Sequence, residues 1–363
     1  MAISLTFRTV QFSWCMFAFL CAYCSAQQTP RPDSPVAQTA QASEAASSDF
    51  SHARTLMQQG KIDDAIAELQ TLQSATPAVK GIELELGTAY YKKGNYVKAI
   101  GFLRKVTASD PNNREAAQLL GLSYYLNGYP ADAIPVLEKV QEWFPRANVD
   151  ASYILGVCYI QSKDYDHARR AFATMYNVTP DSAAAYLFTA RMLFRQEFDP
   201  VAEQYGKKAV ALDPNLPLAH FLLGELYLYK SRIPEAVAEF QKELTINPGH
   251  AATYYKLGDA NSRLQNWDEA ERLLQRSIWL DATSTGPYIL MGKVLLKKGE
   301  AELAVRALRR AEAMDPANAM PHQLLGQAYR VLGQTEDAER ELRMANQANS
   351  AQELQNSDPP EAK

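Results

Sequence analysis

The chain has 363 residues, 47% of them hydrophobic, and a formal net charge of −4. Mild acidity with both signs interspersed leaves no electrostatic footprint for nucleic acid or an anionic membrane surface, so neither is expected as a partner. Length alone points to two or three globular domains, but the internal periodicity described below points to one elongated array.

In chain order, Arg8 precedes an apolar run over residues 12–24, and the small residues Ser25 and Ala26 follow it. That order predicts a secretory signal peptide over 1–26, cleaved before Gln27, and places the protein in the periplasm or outside the cell. If left uncleaved, the signal would anchor the chain in the inner membrane. No other segment approaches the roughly 18 uninterrupted apolar residues of a membrane span, so no further insertion is expected. Cys15, Cys21 and Cys24 fall within the signal, which leaves Cys158 alone. It is read as a small buried core residue rather than a disulfide partner. Residues 27–45 are rich in Gln, Pro, Ala and Ser and read as a flexible linker.

Prolines then recur at a fixed interval: Pro77, Pro111, Pro145, Pro180, Pro214, Pro248 and Pro316, spaced by 34 or 35 and finally by 68, with Ala282 at the skipped post. A period of this size marks a repeat architecture. The stretch from Arg114 to Pro145 shows the unit most fully. Leu120, Gly121 and Tyr124 lie in its first half, Gly128 breaks the helix and Pro130 restarts it. Ala133, Leu137 and Val140 then form one apolar face of a second helix. The same template falls on Leu86, Gly87 and Tyr90, on Leu155, Gly156 and Tyr159, on Leu223, Gly224 and Tyr227, and on Leu325, Gly326 and Tyr329.

This pattern resembles the tetratricopeptide repeat family, whose signature reads W-x2-L-G-x2-Y…A-x3-F…P. The resemblance covers about 46–350, in nine repeats beginning near residues 46, 80, 114, 149, 183, 217, 251, 285 and 319. It implies an all-α fold, a right-handed α-solenoid superhelix of about nine helix-turn-helix repeats, followed by a polar tail over 351–363. Two repeats depart from the pattern. The first has His52-Ala53 in place of Leu-Gly. The fifth has Thr189-Ala190, no turn glycine, and Gly206 where an apolar residue is expected, which predicts a locally loose repeat.

Signs of catalysis are missing from the sequence. The five histidines are scattered over different repeats with no paired ligand spacing, and there is no P-loop, nucleophile elbow or dinucleotide fingerprint. No enzyme activity, catalytic residue, metal or cofactor is therefore expected. Most carboxylates read as solvated faces or helix ion pairs, such as Glu302 with Arg306 and Glu339 with Arg343. The sequon at Asn177 is read as silent.

What the resemblance implies about function lies on the first helix of each repeat, whose second, fifth, ninth, twelfth and thirteenth places line a concave groove. The fifth places hold Phe50, Leu84, Gln118, Tyr153, Leu187, Phe221, Tyr255, Ile289 and Gln323; the twelfth hold Met57, Tyr91, Tyr125, Ile160, Phe194, Leu228, Ser262, Leu296 and Arg330. The expected partner-binding set is Tyr91, Tyr125, Tyr153, Leu187, Arg191, Phe194, Phe221 and Tyr255, with Arg195, Glu225, Tyr229, Asp259 and Arg263 beside it. Aromatic rings on a rigid wall hold a peptide by burial and stacking, while charges set its register. The family's carboxylate clamp for acidic chaperone tails needs Lys and Asn at places occupied here by Phe, Leu, Tyr, Thr and Val, so that role is not expected. The reading is an exported, non-catalytic scaffold that binds a protein or peptide partner. The alternative is a structural subunit of an envelope assembly (secretion, pilus, polysaccharide export or cytochrome maturation) that makes its contacts along the convex face.

Overall fold

A computed structural model describes residues 50–75, 80–144 and 149–356. The expected signal and linker, Pro77, Pro145 and the last seven residues lie outside the described residues. All regular structure described is α-helix, eighteen helices in all. The chain divides into two compact bodies, Met1–Lys80 and Gly81–Lys363. The first holds one hairpin, α1 (Ser51–Gln58) and α2 (Ile62–Ala75). The second holds eight hairpins. They are α3 (Ile82–Lys92) with α4 (Tyr96–Ser109), α5 (Arg114–Leu126) with α6 (Pro130–Trp143), α7 (Val149–Gln161) with α8 (Tyr165–Tyr176), and α9 (Ala183–Arg195) with α10 (Asp199–Leu212). Then follow α11 (Ala219–Tyr229) with α12 (Ile233–Ile246), α13 (Ala251–Arg263) with α14 (Trp267–Leu280), α15 (Thr285–Lys298) with α16 (Ala301–Met314), and α17 (Ala319–Val331) with α18 (Thr335–Asn356). Odd-numbered helices are the A helices of repeats 1 to 9 and even-numbered ones the B helices.

Each turn between A and B is made the same way. One residue takes a left-handed backbone conformation, at 60, 94, 128, 163, 197, 231, 265, 299 and 333. The N–H that follows it returns to a carbonyl five residues back, as in Tyr129 N to Tyr124 O at 2.9 Å and Phe198 N to Leu193 O at 2.9 Å. Glycine supplies this conformation in five repeats. Lys163, Glu197, Ser231 and Gln265 adopt it in repeats 4 to 7, with φ of 62°, 63°, 57° and 62°. B helices start on Pro at the first or second position in α6, α10 and α12, where a missing N–H costs nothing. In α4 and α8 a side chain caps instead: Asn95 accepts from Lys98 N at 3.1 Å and Asp164 from His167 N at 3.2 Å.

Inside a hairpin the two helices interlock at one point. A Cβ placed on Gly121 would lie 2.5 Å from Leu137, on Gly156 2.5 Å from the Phe172 ring, and on Gly224 2.5 Å from the Phe240 ring. The A-helix glycine therefore makes room for a large residue sixteen positions later on B. Repeat 5 reverses the sizes, with Ala190 on A and Gly206 on B. The space beside Gly206 is taken by Leu223 of the next repeat, 2.9 Å from where a Cβ would stand. Gly206 therefore leaves no gap, since the neighbouring repeat fills the space beside it.

In the second body, each B helix packs on the next A helix. Successive A helices also touch one another, whereas successive B helices make no comparable contact, so the A helices form the inner wall of this stack. The pair α7 and α9 is the exception. The two junctions flanking repeat 5 are the most thinly packed of the second body. The first of them is held by a polar staple. Arg169 of α8, 6% exposed, donates to Pro180 O and to Asp181 at 2.7 Å and lies over the Tyr186 ring. At the start of α11, Leu218 has φ of 70°, and its N–H donates to the fully buried Glu243 carboxylate at 2.9 Å. The last helix continues to Asn356, past the boundary expected at 350. Of the two expected helix ion pairs, Glu339–Arg343 forms at 3.8 Å, while none is described between Glu302 and Arg306. Among the described residues no helix is long and apolar enough to cross a membrane.

Candidate protein-binding wall

The predicted contact residues separate into two sets. Tyr91, Tyr125, Tyr153, Arg191, Phe194, Phe221 and Tyr255 are partly exposed on A helices. Leu187 is not: it is 4% exposed and belongs to the main core. It is withdrawn from the contact set, as are the other expected wall positions Phe50, Met57, Ile160, Leu228 and Ser262, all buried. The cause is the seam between neighbouring helices. Leu187, Ile160 and Leu228 lie inside it, whereas Tyr153, Phe194, Phe221 and Tyr255 keep part of their rings open. Side-chain size is not the rule, since the Phe50 ring is buried and Leu84, Ile289 and Leu296 stay partly exposed.

The rings are held by specific neighbours. Tyr91 lies 6.0 Å from Tyr96, Tyr153 6.4 Å from Phe172, and Phe194 packs edge-on to Tyr229 at 5.7 Å. Phe221 sits between Phe240 at 5.8 Å and His250 at 5.0 Å. The Tyr255 ring covers Gly286, leaving 3.1 Å to where a Cβ would be. Burial pushes the hydroxyls of Tyr125 and Tyr255 above the usual phenol range, helped at Tyr125 by nearby Tyr153 and Cys158. Cys158 is buried as expected, and burial pushes its thiol up to about 12, which removes it from thiolate chemistry at neutral pH. Tyr229, 64% exposed, is the most open aromatic ring of the wall.

Charge is divided between the two helix rows. In repeats 5 to 9 the A helices hold eight Lys and Arg against two Asp and Glu. The B helices hold ten against fifteen. An acidic chain thus carries a net basic row of A helices in repeats 5 to 9. Lys293 and Lys297 belong to it and were missed in the sequence, although the register of repeat 8 puts them at the ninth and thirteenth places.

One cluster was also invisible in the sequence. His322 Nδ1 lies 2.8 Å from Glu341 Oε2 and 3.9 Å from Glu312 Oε1 across the junction of repeats 8 and 9. These are the residues best placed to hold a metal ion among those described. Arg309, however, bonds both carboxylates, at 2.6 and 2.7 Å, so the cluster is already charge-compensated and works as a staple between repeats. The two best-formed hollows among the described residues, beside Trp267 and beside Met344, open widely to solvent and lie away from the aromatic wall.

A tetratricopeptide repeat model matches residues 164–217, 218–287 and 289–353, together more than half of the chain. The chain belongs to the tetratricopeptide repeat family. A second tetratricopeptide repeat model matches 56–122, and a model described as anaphase-promoting complex, cyclosome, subunit 3 matches 92–175. Tetratricopeptide repeat proteins are in general interaction scaffolds, and this chain has their all-α solenoid fold. No curated protein matches the sequence. Among solved structures the chain is similar to pilF of Pseudomonas aeruginosa, at 20% identity and a TM-score of 0.46, over 57% of this chain and 96% of that one. It is also similar to MamA of Desulfovibrio magneticus RS-1, at 20% and 0.45, over 47% and 97%. YrrB, at 24% and 0.43, is matched over 48% and 90%.

Proposed function

We propose that this chain is an exported, non-catalytic scaffold that holds a protein or peptide partner on its A-helix wall. The observation that carries the reading is the row of partly exposed rings on consecutive A helices, Tyr125, Tyr153, Phe194, Phe221 and Tyr255. Rigid aromatic groups with one face open make efficient contact centres, because little conformational entropy is lost when a partner covers them. Export rests on the signal-like order of residues 1–26.

The test is substitution of Tyr153, Phe194 and Phe221 together by Ser in the full chain. Partners that co-purify with the parent protein should be lost while helical circular dichroism is retained. Retention of every partner by a helical variant overturns the reading. The envelope-subunit alternative draws support from the outer row, where Trp279 on α14 is 71% exposed and Leu303 on α16 44% exposed. Crosslinks concentrated on B helices rather than A helices would favour it.

A further inference from the structure

We infer that the partner of the C-terminal half of the wall is an extended peptide segment with acidic residues at both ends and an apolar or aromatic centre. This rests on the wall being a protein-binding surface and adds the chemistry of what it binds. Two cationic poles stand on it. Arg191 and Arg195, one turn apart on α9, form the first; Lys293 and Lys297, one turn apart on α15, form the second, with Arg330 of α17 beyond. None of these five has an ion pair among the described residues. Other cations nearby do. Lys298, the neighbour of Lys297, is clamped by Asp268, Glu271 and Glu300 at 2.8, 2.6 and 3.1 Å. Lys230 and Lys207 each reach Glu203 at 2.8 Å.

Between the poles the wall neutralises itself. Glu225 pairs with Lys256 at 3.1 Å across repeats 6 and 7, and Asp259 pairs with Arg263 at 2.9 Å. Beside these pairs lie Phe194, Tyr229 and Tyr255, which offer apolar surface. The poles are three repeats apart. With neighbouring helix axes roughly 8–10 Å apart, they are separated by roughly 24–30 Å, the span of about eight extended residues at about 3.3 Å each. An occupant with matching ends and an apolar middle satisfies every group on this stretch. A uniform polyanion does not: its central charges would lie against rings and already compensated ion pairs, with no unpaired cation among the described residues there to receive them. Complementary charge of this kind contributes to encounter and register more than to bulk affinity.

The test is selection of a displayed random peptide library on the immobilised full chain, repeated on R191E/R195E and K293E/K297E, which alter exposed or partly exposed side chains. The parent should enrich peptides with acidic ends around an apolar centre. Each charge reversal should remove the acidic preference at one end and weaken selected peptides by about tenfold. Enrichment of apolar peptides with no acidic preference, or a preference unchanged by the reversals, overturns this inference and leaves the scaffold reading standing. Selection of nothing overturns both. Binding of a single-stranded oligonucleotide or an anionic vesicle at least as tightly as the best peptide also overturns it.

Discussion

The smallest decisions in this fold are taken at two positions per repeat, the turn residue and the interlock glycine. A left-handed conformation costs a residue with a Cβ about 1 kcal/mol or more, while glycine loses about 0.5–1 kcal/mol of chain entropy on folding. At Lys163, Glu197, Ser231 and Gln265 the two nearly cancel. Replacing each with Gly is expected to change stability by a small gain of roughly 0.5 kcal/mol, read as a rise in the urea midpoint of the full chain. A fall in that midpoint would mean that these side chains contribute more than their backbone costs. The interlock is less forgiving. Gly224→Ala drives a Cβ into the Phe240 ring and should cost roughly 1–3 kcal/mol. The double variant G224A/F240A should cost less than the sum of the two single changes, since truncating the ring leaves room for the added Cβ. The glycines were legible in the sequence. Their partners sixteen residues later were not, because a period reports which positions repeat and not which of them touch.

Between elements, the junctions of repeat 5 combine the thinnest packing of the second body with ion pairs. Glu203 of α10 receives Lys207 and Lys230 at 2.8 Å and Arg232 at 3.2 Å, joining repeats 5 and 6. Burial alone would raise its carboxyl, but the hydrogen bonds from Lys207 and Lys230 prevail and bring it down to about 2. A carboxyl lowered on folding contributes stability fully above its unfolded pKa of about 4.3 and loses it as the pH falls toward the folded value. The chain should therefore weaken between about pH 4.3 and about 2, and Glu203→Gln should flatten that part of the profile while costing roughly 1 kcal/mol at neutral pH. An acid limb identical to the parent's would exclude Glu203 as its source. The Arg169 staple acts on the other side of the repeat. Sequence reading passed over it because an arginine among helix charges looks like a solvated one until its neighbours in space are known.

Across the molecule, stability in a repeat stack is a sum of repeat and junction contributions, so the thinnest junctions open first. Hydrogen exchange of the second body is expected to show its lowest opening free energies in α9 and α10. Arg169→Ala should lower protection there while leaving α13 to α17 unchanged; a uniform loss along the stack would mean that the repeats unfold as one cooperative unit instead. The same scale decides the charge division, which the net charge of −4 conceals. Averaging hides the basic A row and acidic B row of repeats 5 to 9, a division that repeats 1 to 4 do not share.

By itself the sequence determined the repeat family and the helix phase, because a 34-residue period in Pro, Gly, Tyr and Ala admits few folds. It also carried the expectation of a buried Cys158, which the structure shows. Only the tertiary structure decided which wall positions stay open. Leu187 and Phe194 occupy equivalent-looking places in the same helix, yet the aliphatic chain fits the seam between neighbours and the ring does not. Tertiary structure likewise showed that Leu223 fills the gap beside Gly206, and that Arg191, Arg195, Lys293 and Lys297 remain unpaired while Lys298 is clamped. Each of these outcomes depends on distances between residues far apart in the chain, and periodicity carries no record of them.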